Sequence, residues 1–287
     1  MRGKSGIISS TRQLLMDIHE NNTDYEFKTY GMYSLRYLNR NYNGDVILGY
    51  KDSSGATQGF TPTEIVDGTL TTFANGDHVR VKTWYDQSGN GNDATQTSRF
   101  NMPPIVISGS LMTLGSTGLP AVDFDGSNDM IPLNSALPDI RLGHCSCFTV
   151  GEFDGTTLST MEVMISLGWT NASARWWSPG GYQGEYIFGY ASTWNEQVVA
   201  GLDTDPHLHT AIAGSNQGNW SCFIDGSVQG TATRQVRSSA GGYGIGGVNS
   251  VSSYALDGRV SEVCVFDGDC STLRTDIEKN IMDYYNI

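Results

Sequence analysis

The stretch Trp84-Tyr85-Asp86-Gln87-Ser88-Gly89-Asn90-Gly91-Asn92-Asp93-Ala94 closes an apolar strand with a turn too polar and too glycine-rich to be ordinary core. Ahead of it Val79, Val81 and Thr83 alternate with Arg80, Lys82 and Trp84, the period of two that marks a half-buried strand. Gly89 and Gly91 permit the positive φ angles of a tight loop lined by side-chain oxygens. Asp86, Ser88, Asn90, Asn92 and Asp93 offer those oxygens at near-alternating positions, as the first half of a calcium loop does. The second half is missing, because the twelfth position is Thr97 and not a bidentate Glu. A turn closed by side-chain-to-backbone hydrogen bonds of the Asx type is the alternative for the same residues.

The chain has 287 residues, 35 of them Gly, with only 16% charged residues, which suits many short strands joined by tight turns in one large β domain. Its formal charge of −13 repels phosphate backbones, so a nucleic-acid partner is not expected. No run approaches the roughly 18 apolar residues of a membrane span, and Met1 to Ile8 lack a signal-peptide core, so neither membrane insertion nor a cleaved leader is expected. Five cysteines, at 145, 147, 222, 264 and 270, lack zinc-site spacings and read as free thiols of a protein made in a reducing cytoplasm.

Along the chain, residues 1–24 read as an N-terminal docking arm. Ser10 or Thr11 caps a short helix, and Ile7, Ile8, Leu14, Leu15 and Ile18 supply apolar contacts that dock onto the body or, as the arm reading has it, onto neighbouring subunits. A segment over 25–78 carries turn signals at Asn43-Gly44, Ser54-Gly55 and Asp67-Gly68 and leads into a sandwich over 79–270. Asp125-Gly126 and Asp225-Gly226 each signal a hairpin. After a strand over Arg259–Phe266, Ser271 caps a closing helix within 271–287, with Leu273, Ile277, Ile281 and Tyr284 near one face.

Together with Tyr33-Ser34-Leu35-Arg36 and Leu256-Asp257-Gly258-Arg259-Val260-Ser261-Glu262-Val263, the Trp84–Ala94 stretch resembles the concanavalin A-like lectin/glucanase jelly rolls. Within that group it is similar to laminin-G-like domains of phage virion proteins and to the catalytic domain of fungal α-L-arabinofuranosidase B. The resemblance implies an all-β, two-sheet antiparallel jelly-roll sandwich with an N-terminal arm and a C-terminal helix. It further implies a structural protein of the bacteriophage virion surface: a decoration, head fibre, knob or tail appendage. Such a protein is made in the host cytoplasm and present in many copies or as a homo-oligomer. Its arm joins other virion proteins, and host surface polysaccharide is a candidate ligand. The alternative is an arabinofuranosidase-like glycoside hydrolase or a free carbohydrate-binding lectin module.

Three groups of residues bear on that choice. The aromatics from Trp169 to Trp194 are the densest in the chain, and Trp176, Trp177, Tyr182, Tyr186 and Trp194 are the glycan-binding candidates. Indoles and phenols stack on sugar C–H faces, although Tyr186, Phe188 and Tyr190 also alternate as core residues of a strand would. Glu152, Glu185 and Glu262 lie in or beside expected strands, but sequence alone assigns no acid and nucleophile pair, so no catalytic residue is named and no glycosidase activity is expected. Glu262 belongs to the laminin-G-like pattern as a structural residue. His207 and His209 share a strand face without an evident third ligand, which favours structural roles and no metal or cofactor beyond the calcium option.

Overall fold

The structure, a computed structural model, describes residues 15–20, 28–133, 145–156, 160–167, 179–188, 197–213, 219–233, 242–248 and 254–287. Its spine is the 11-residue strand Asp257–Asp267, in which every residue from Val260 to Phe266 is buried. A run buried on both faces belongs inside a layered fold, where water reaches neither side. Lys28–Ser34 and Val122–Asp125 pair antiparallel along one edge of it, and Cys145–Phe153 along the other. The sheet continues through His207–Ala213, Asn219–Ile224 and Ser227–Thr233 to make seven strands.

The expected all-β sandwich forms, with its second layer in pieces. A six-stranded sheet is built around Val79–Trp84, a three-stranded one around Tyr243–Ile245, and a four-stranded one contains Glu185–Phe188. Strands such as Ile131–Pro132 and Glu162–Val163 are too short to run across one continuous sheet. Alternation along the main sheet divides the core in two. Cys147, Phe153, Val263 and Val265 meet Phe60, Val81, Trp84 and Ile105 between the layers. Phe148, Val150, Cys264 and Phe266 face the other way, onto Ile277, Ile281 and Tyr285 of the helix Arg274–Tyr285.

Two parts of the expected organisation change. Leu15 and Ile18 are buried in that outer core beside the C-terminal helix, and the Met16 N–H donates to the Leu38 carbonyl at 3.0 Å. These side chains are used within the chain and are not presented to a neighbour; Ile7, Ile8 and Leu14 lie outside the described residues. The supposed lead-in is integral, since Lys28–Ser34 belongs to the main sheet and Ile47–Lys51 pairs with Val79–Trp84.

The turns divide similarly. Asp225 and Gly226, with φ of 48° and 74°, form the tight hairpin expected. At Asp125-Gly126 the flanking strands do not pair: Val122–Asp125 stays in the main sheet and Ile131–Pro132 joins Tyr243–Ile245. Asp125 Oδ1 accepts the N–H groups of Ser127, Asn128 and Asp129, which makes a broad Asx loop that carries the chain between layers. Asp67-Gly68 joins two short helices, Pro62–Val66 and Thr69–Ala74, the first begun by a Thr61/Glu64 capping box. Ser271 does not cap the last helix; its N–H donates to Asp269 Oδ1 in the 3₁₀ turn before it.

One ion pair ties the main sheet to the closing helix. Glu262, fully buried, accepts from Arg36 Nε at 2.7 Å and from its terminal nitrogen at 2.9 Å. The Ser34 hydroxyl donates at 2.8 Å and the Tyr285 hydroxyl at 3.2 Å. The Arg36 guanidinium also stacks on Tyr284, 4.5 Å from the ring centroid. Burial opposes its charge, yet Glu262 beside it leaves its proton affinity raised overall. Glu262→Ala strands this cation and is expected to lower stability to urea by about 3–5 kcal/mol. The pair Arg36→Met with Glu262→Leu recovers most of that loss; a double variant as unstable as the single one contradicts the account.

Candidate functional site

The Asp86 loop is a hydrogen-bonded staple. Asp86 Oδ1 accepts from the N–H of Met32 and of Ser88, each at 2.9 Å, while Oδ2 accepts the Ser88 hydroxyl at 2.6 Å and the Asn92 N–H at 3.1 Å. Asp93 accepts the Asp86 N–H, and Asn90 and Asn92 donate to the carbonyls of Thr29 and Tyr30. Gln87 bridges Ser34, Arg36 and Leu38. Side-chain oxygens of Asp86, Ser88 and Asp93 thus accept from donors of the loop and of the first strand, an Asx pattern that fastens the end of Val79–Trp84 to Lys28–Ser34.

A different group of carboxylates emerges from strand register. Residues two apart share a face, and residues directly opposite across a ladder share it too. Asp123 and Glu152 both stand opposite Arg259, and Asp125 stands opposite Asp257. The Asp154 N–H donates to the Asp257 carbonyl, which brings Asp154 into that second row. The result is a lattice of five acids and one arginine on one end of the main sheet. Arg259 donates to Asp123 at 2.9 Å and Glu152 at 2.6 Å and lies 3.5 Å from Asp154. Gly258 lets the strands close here, since a Cβ would sit 2.2 Å from the Glu152 carbonyl oxygen.

Glu162 joins from the facing layer, accepting the Asp257 N–H at 2.9 Å. Burial pushes its carboxyl up to about 7, with Asp257 and Asp154 adding to the rise against that hydrogen bond. Burial also raises Glu152, Asp123 and Asp257, Arg259 opposing it in each case. Like charges facing each other across a ladder, as Asp125 and Asp257 do, cost stability. Perturbed carboxyl groups gathered at a sheet end mark a candidate site. The sequence signal was present as acids spaced two apart at two strand ends and as Asp257 two residues before Arg259 on a third, but only their pairing brings them together.

Of the aromatic candidates, Tyr186 is buried against His209 and Phe153, and its hydroxyl donates to Asp203 Oδ1 at 3.1 Å. It packs between the layers and offers no sugar platform. Tyr182 lies in the strand Pro179–Tyr182, while Trp176, Trp177 and Trp194 lie outside the described residues. Glu185, half-buried, faces Ala200 across its ladder. Glu262 is structural, as expected.

His207 forms a seam, its Nδ1 2.5 Å from Asp225 and its Nε2 2.9 Å from Asp203. The Asp225 hydrogen bond leads in raising it to about 9, against burial, with Asp203 adding. His209, wholly buried, is driven down to about 3 by burial and by His207. Among the described residues no group of three His, Cys, Asp or Glu side chains is placed to hold a metal ion.

Neither a protein-family model nor a curated protein sequence matches the chain. Solved structures do. A GH54 α-L-arabinofuranosidase soaked with a cyclic sulfate inhibitor superposes with a TM-score of 0.69 at 15% identity, over 94% of this chain and 65% of that one. An arabinofuranosidase complexed with arabinofuranosyl-α-1,2-xylobiose gives 0.69 and 15% over 94% and 64%. The Trypanosoma rangeli sialidase in complex with sialic acid gives 0.51 and 13% over 70% and 31%. The chain therefore spans just under two thirds of the arabinofuranosidases, and the likeness is one of fold.

The His207 seam has a pH signature. Its folded value, about 9, lies above the ordinary 6.5, so its stabilisation is complete below about 6.5 and lost as pH rises through 9. His209 acts in the opposite sense only below its ordinary 6.5, outside that window. Thermal melts are expected to show a falling melting temperature across that window, with the fall largely absent in His207→Gln. Identical slopes for both proteins contradict the assignment.

Proposed function

We propose that this chain acts on a polysaccharide as a glycoside hydrolase of the arabinofuranosidase-like kind. What carries the reading is the coincidence of two things: a backbone shared with arabinofuranosidases over 94% of the chain, and a set of mutually perturbed carboxyl groups on that backbone. Glycoside hydrolysis needs an acid that keeps its proton near neutrality and a second carboxylate close by. Glu162, pushed up to about 7, suits the first role, and Asp154, on the same lattice and partly open to solvent, suits the second. Arg259 fixes the neighbouring Asp123 and Glu152 by ion pairs and so holds the strand ends in register. A virion surface role draws no support from the glycosidase neighbours.

A second reading, a carbohydrate-binding module without turnover, is favoured by one observation. Asp123 and Glu152 are both committed to Arg259, which leaves less of the lattice for chemistry.

The purified chain is expected to release sugar from arabinoxylan and from 4-nitrophenyl α-L-arabinofuranoside. Glu162→Gln should lower kcat by at least about 100-fold, the low end for loss of a general acid, with an unchanged melting temperature. If Glu185→Gln abolishes turnover while Glu162→Gln does not, the activity stands and the chemistry moves to the Tyr182/Glu185 hairpin. Polysaccharide binding without release establishes the second reading; neither binding nor release overturns both.

A further inference from the structure

Far from the Arg259 lattice in sequence, an open groove of about 410 Å³ runs between the edge strand Thr57–Phe60 and the Asp67-Gly68 turn with the short helix Thr69–Ala74 that follows it. Gln58, Asp67, Gly68, Thr69, Thr72 and Phe73 line it. The volume falls within the roughly 300–1,000 Å³ of small-molecule sites. Its walls combine one aromatic residue with an amide, two hydroxyls and a carboxylate, the mixture that suits a ring with apolar C–H faces and neutral hydroxyls.

Local structure presets these groups. Phe73 is half-buried, held edge-on against Phe60 with centroids 5.5 Å apart, so its position does not depend on a ligand. Lys51 Nζ donates to the Phe73 carbonyl at 3.0 Å and sits 5.8 Å from its ring, bracing the residue. Gly68, at φ 98°, makes the kink that separates the two helices and brings Asp67 beside Thr69. The Thr69 hydroxyl and N–H hold the Asp67 carboxyl below the ordinary carboxylate range, so it is an acceptor at neutral pH. None of the six lining residues is cationic, and Asp67 repels an anion.

We infer that this groove is an ancillary subsite for a neutral sugar unit of a polysaccharide, separate from the carboxylate lattice. The ligand class rests on the carbohydrate reading above; the place of binding rests on the groove alone. Gln58 and the Thr72 hydroxyl supply donors and acceptors to sugar hydroxyls, Asp67 accepts from one of them, and Phe73 covers a C–H face. The open side lets the rest of the chain leave in either direction.

The test uses the full chain and two probes, neutral arabinoxylan and anionic polygalacturonate, in affinity electrophoresis. Gln58 and Thr72 are both exposed, so Gln58→Ala with Thr72→Ala spares folding. That double variant should bind arabinoxylan about tenfold more weakly, as expected for one or two lost hydrogen bonds. Its turnover of 4-nitrophenyl α-L-arabinofuranoside should equal that of the unaltered protein. Unchanged arabinoxylan affinity overturns the subsite whatever the turnover result, and so does equal retention by polygalacturonate. Weakened binding in a protein without turnover keeps the subsite and removes the hydrolase reading. No retention of the unaltered chain by arabinoxylan removes the subsite.

Discussion

A carboxylate with no exposure to water must find a cation, and Glu262 finds Arg36. That requirement fixes more than one contact. Glu262 sits in the central strand, Arg36 just beyond the first strand, and Tyr285 at the end of the last helix, so one buried pair sets the register of three elements distant in sequence. The Asp86 and Gln87 staple then fastens the facing layer to that same first strand. The sandwich is closed by polar groups at specified places and filled by apolar ones that need only be the right size.

The same central strand carries Arg259 immediately before its buried run Val260–Phe266, within reach of Asp123, Glu152 and Asp154. Rigid antiparallel pairing is a good support for chemistry, since it holds side chains without help from loops. It also brings together acids that would separate in solution; burial raises the proton affinity of Glu162, and Asp257 and Asp154 add to the rise. The fold is shared with solved glycosidases, and this end of the sheet is where the perturbed carboxyl groups gather.

Local features were legible in the sequence. The strand before Trp84, the hairpin at Asp225-Gly226, the closing helix and the buried thiols all follow from period, turn chemistry and residue type. The lattice was not, because Asp123, Glu152 and Asp257 come from three strands whose register no single strand reveals. Asp125-Gly126 misled for a related reason: its turn chemistry is genuine, but the Asx loop it starts leads to another layer. Tyr186 was a glycan-binding candidate whose strand alternation spoke more for a core, and burial beside His209 decides for the core. Leu15 and Ile18 gave an amphipathic pattern that told of burial without naming the partner, which proves to be the chain's own last helix.

The most direct measurement is a ¹³C-carboxyl NMR titration of Glu162, in the free protein and with an arabinoxylan oligosaccharide. The account predicts a midpoint near 7 in the free protein, displaced when the oligosaccharide binds. A midpoint in the ordinary glutamate range, indifferent to the sugar, would contradict it.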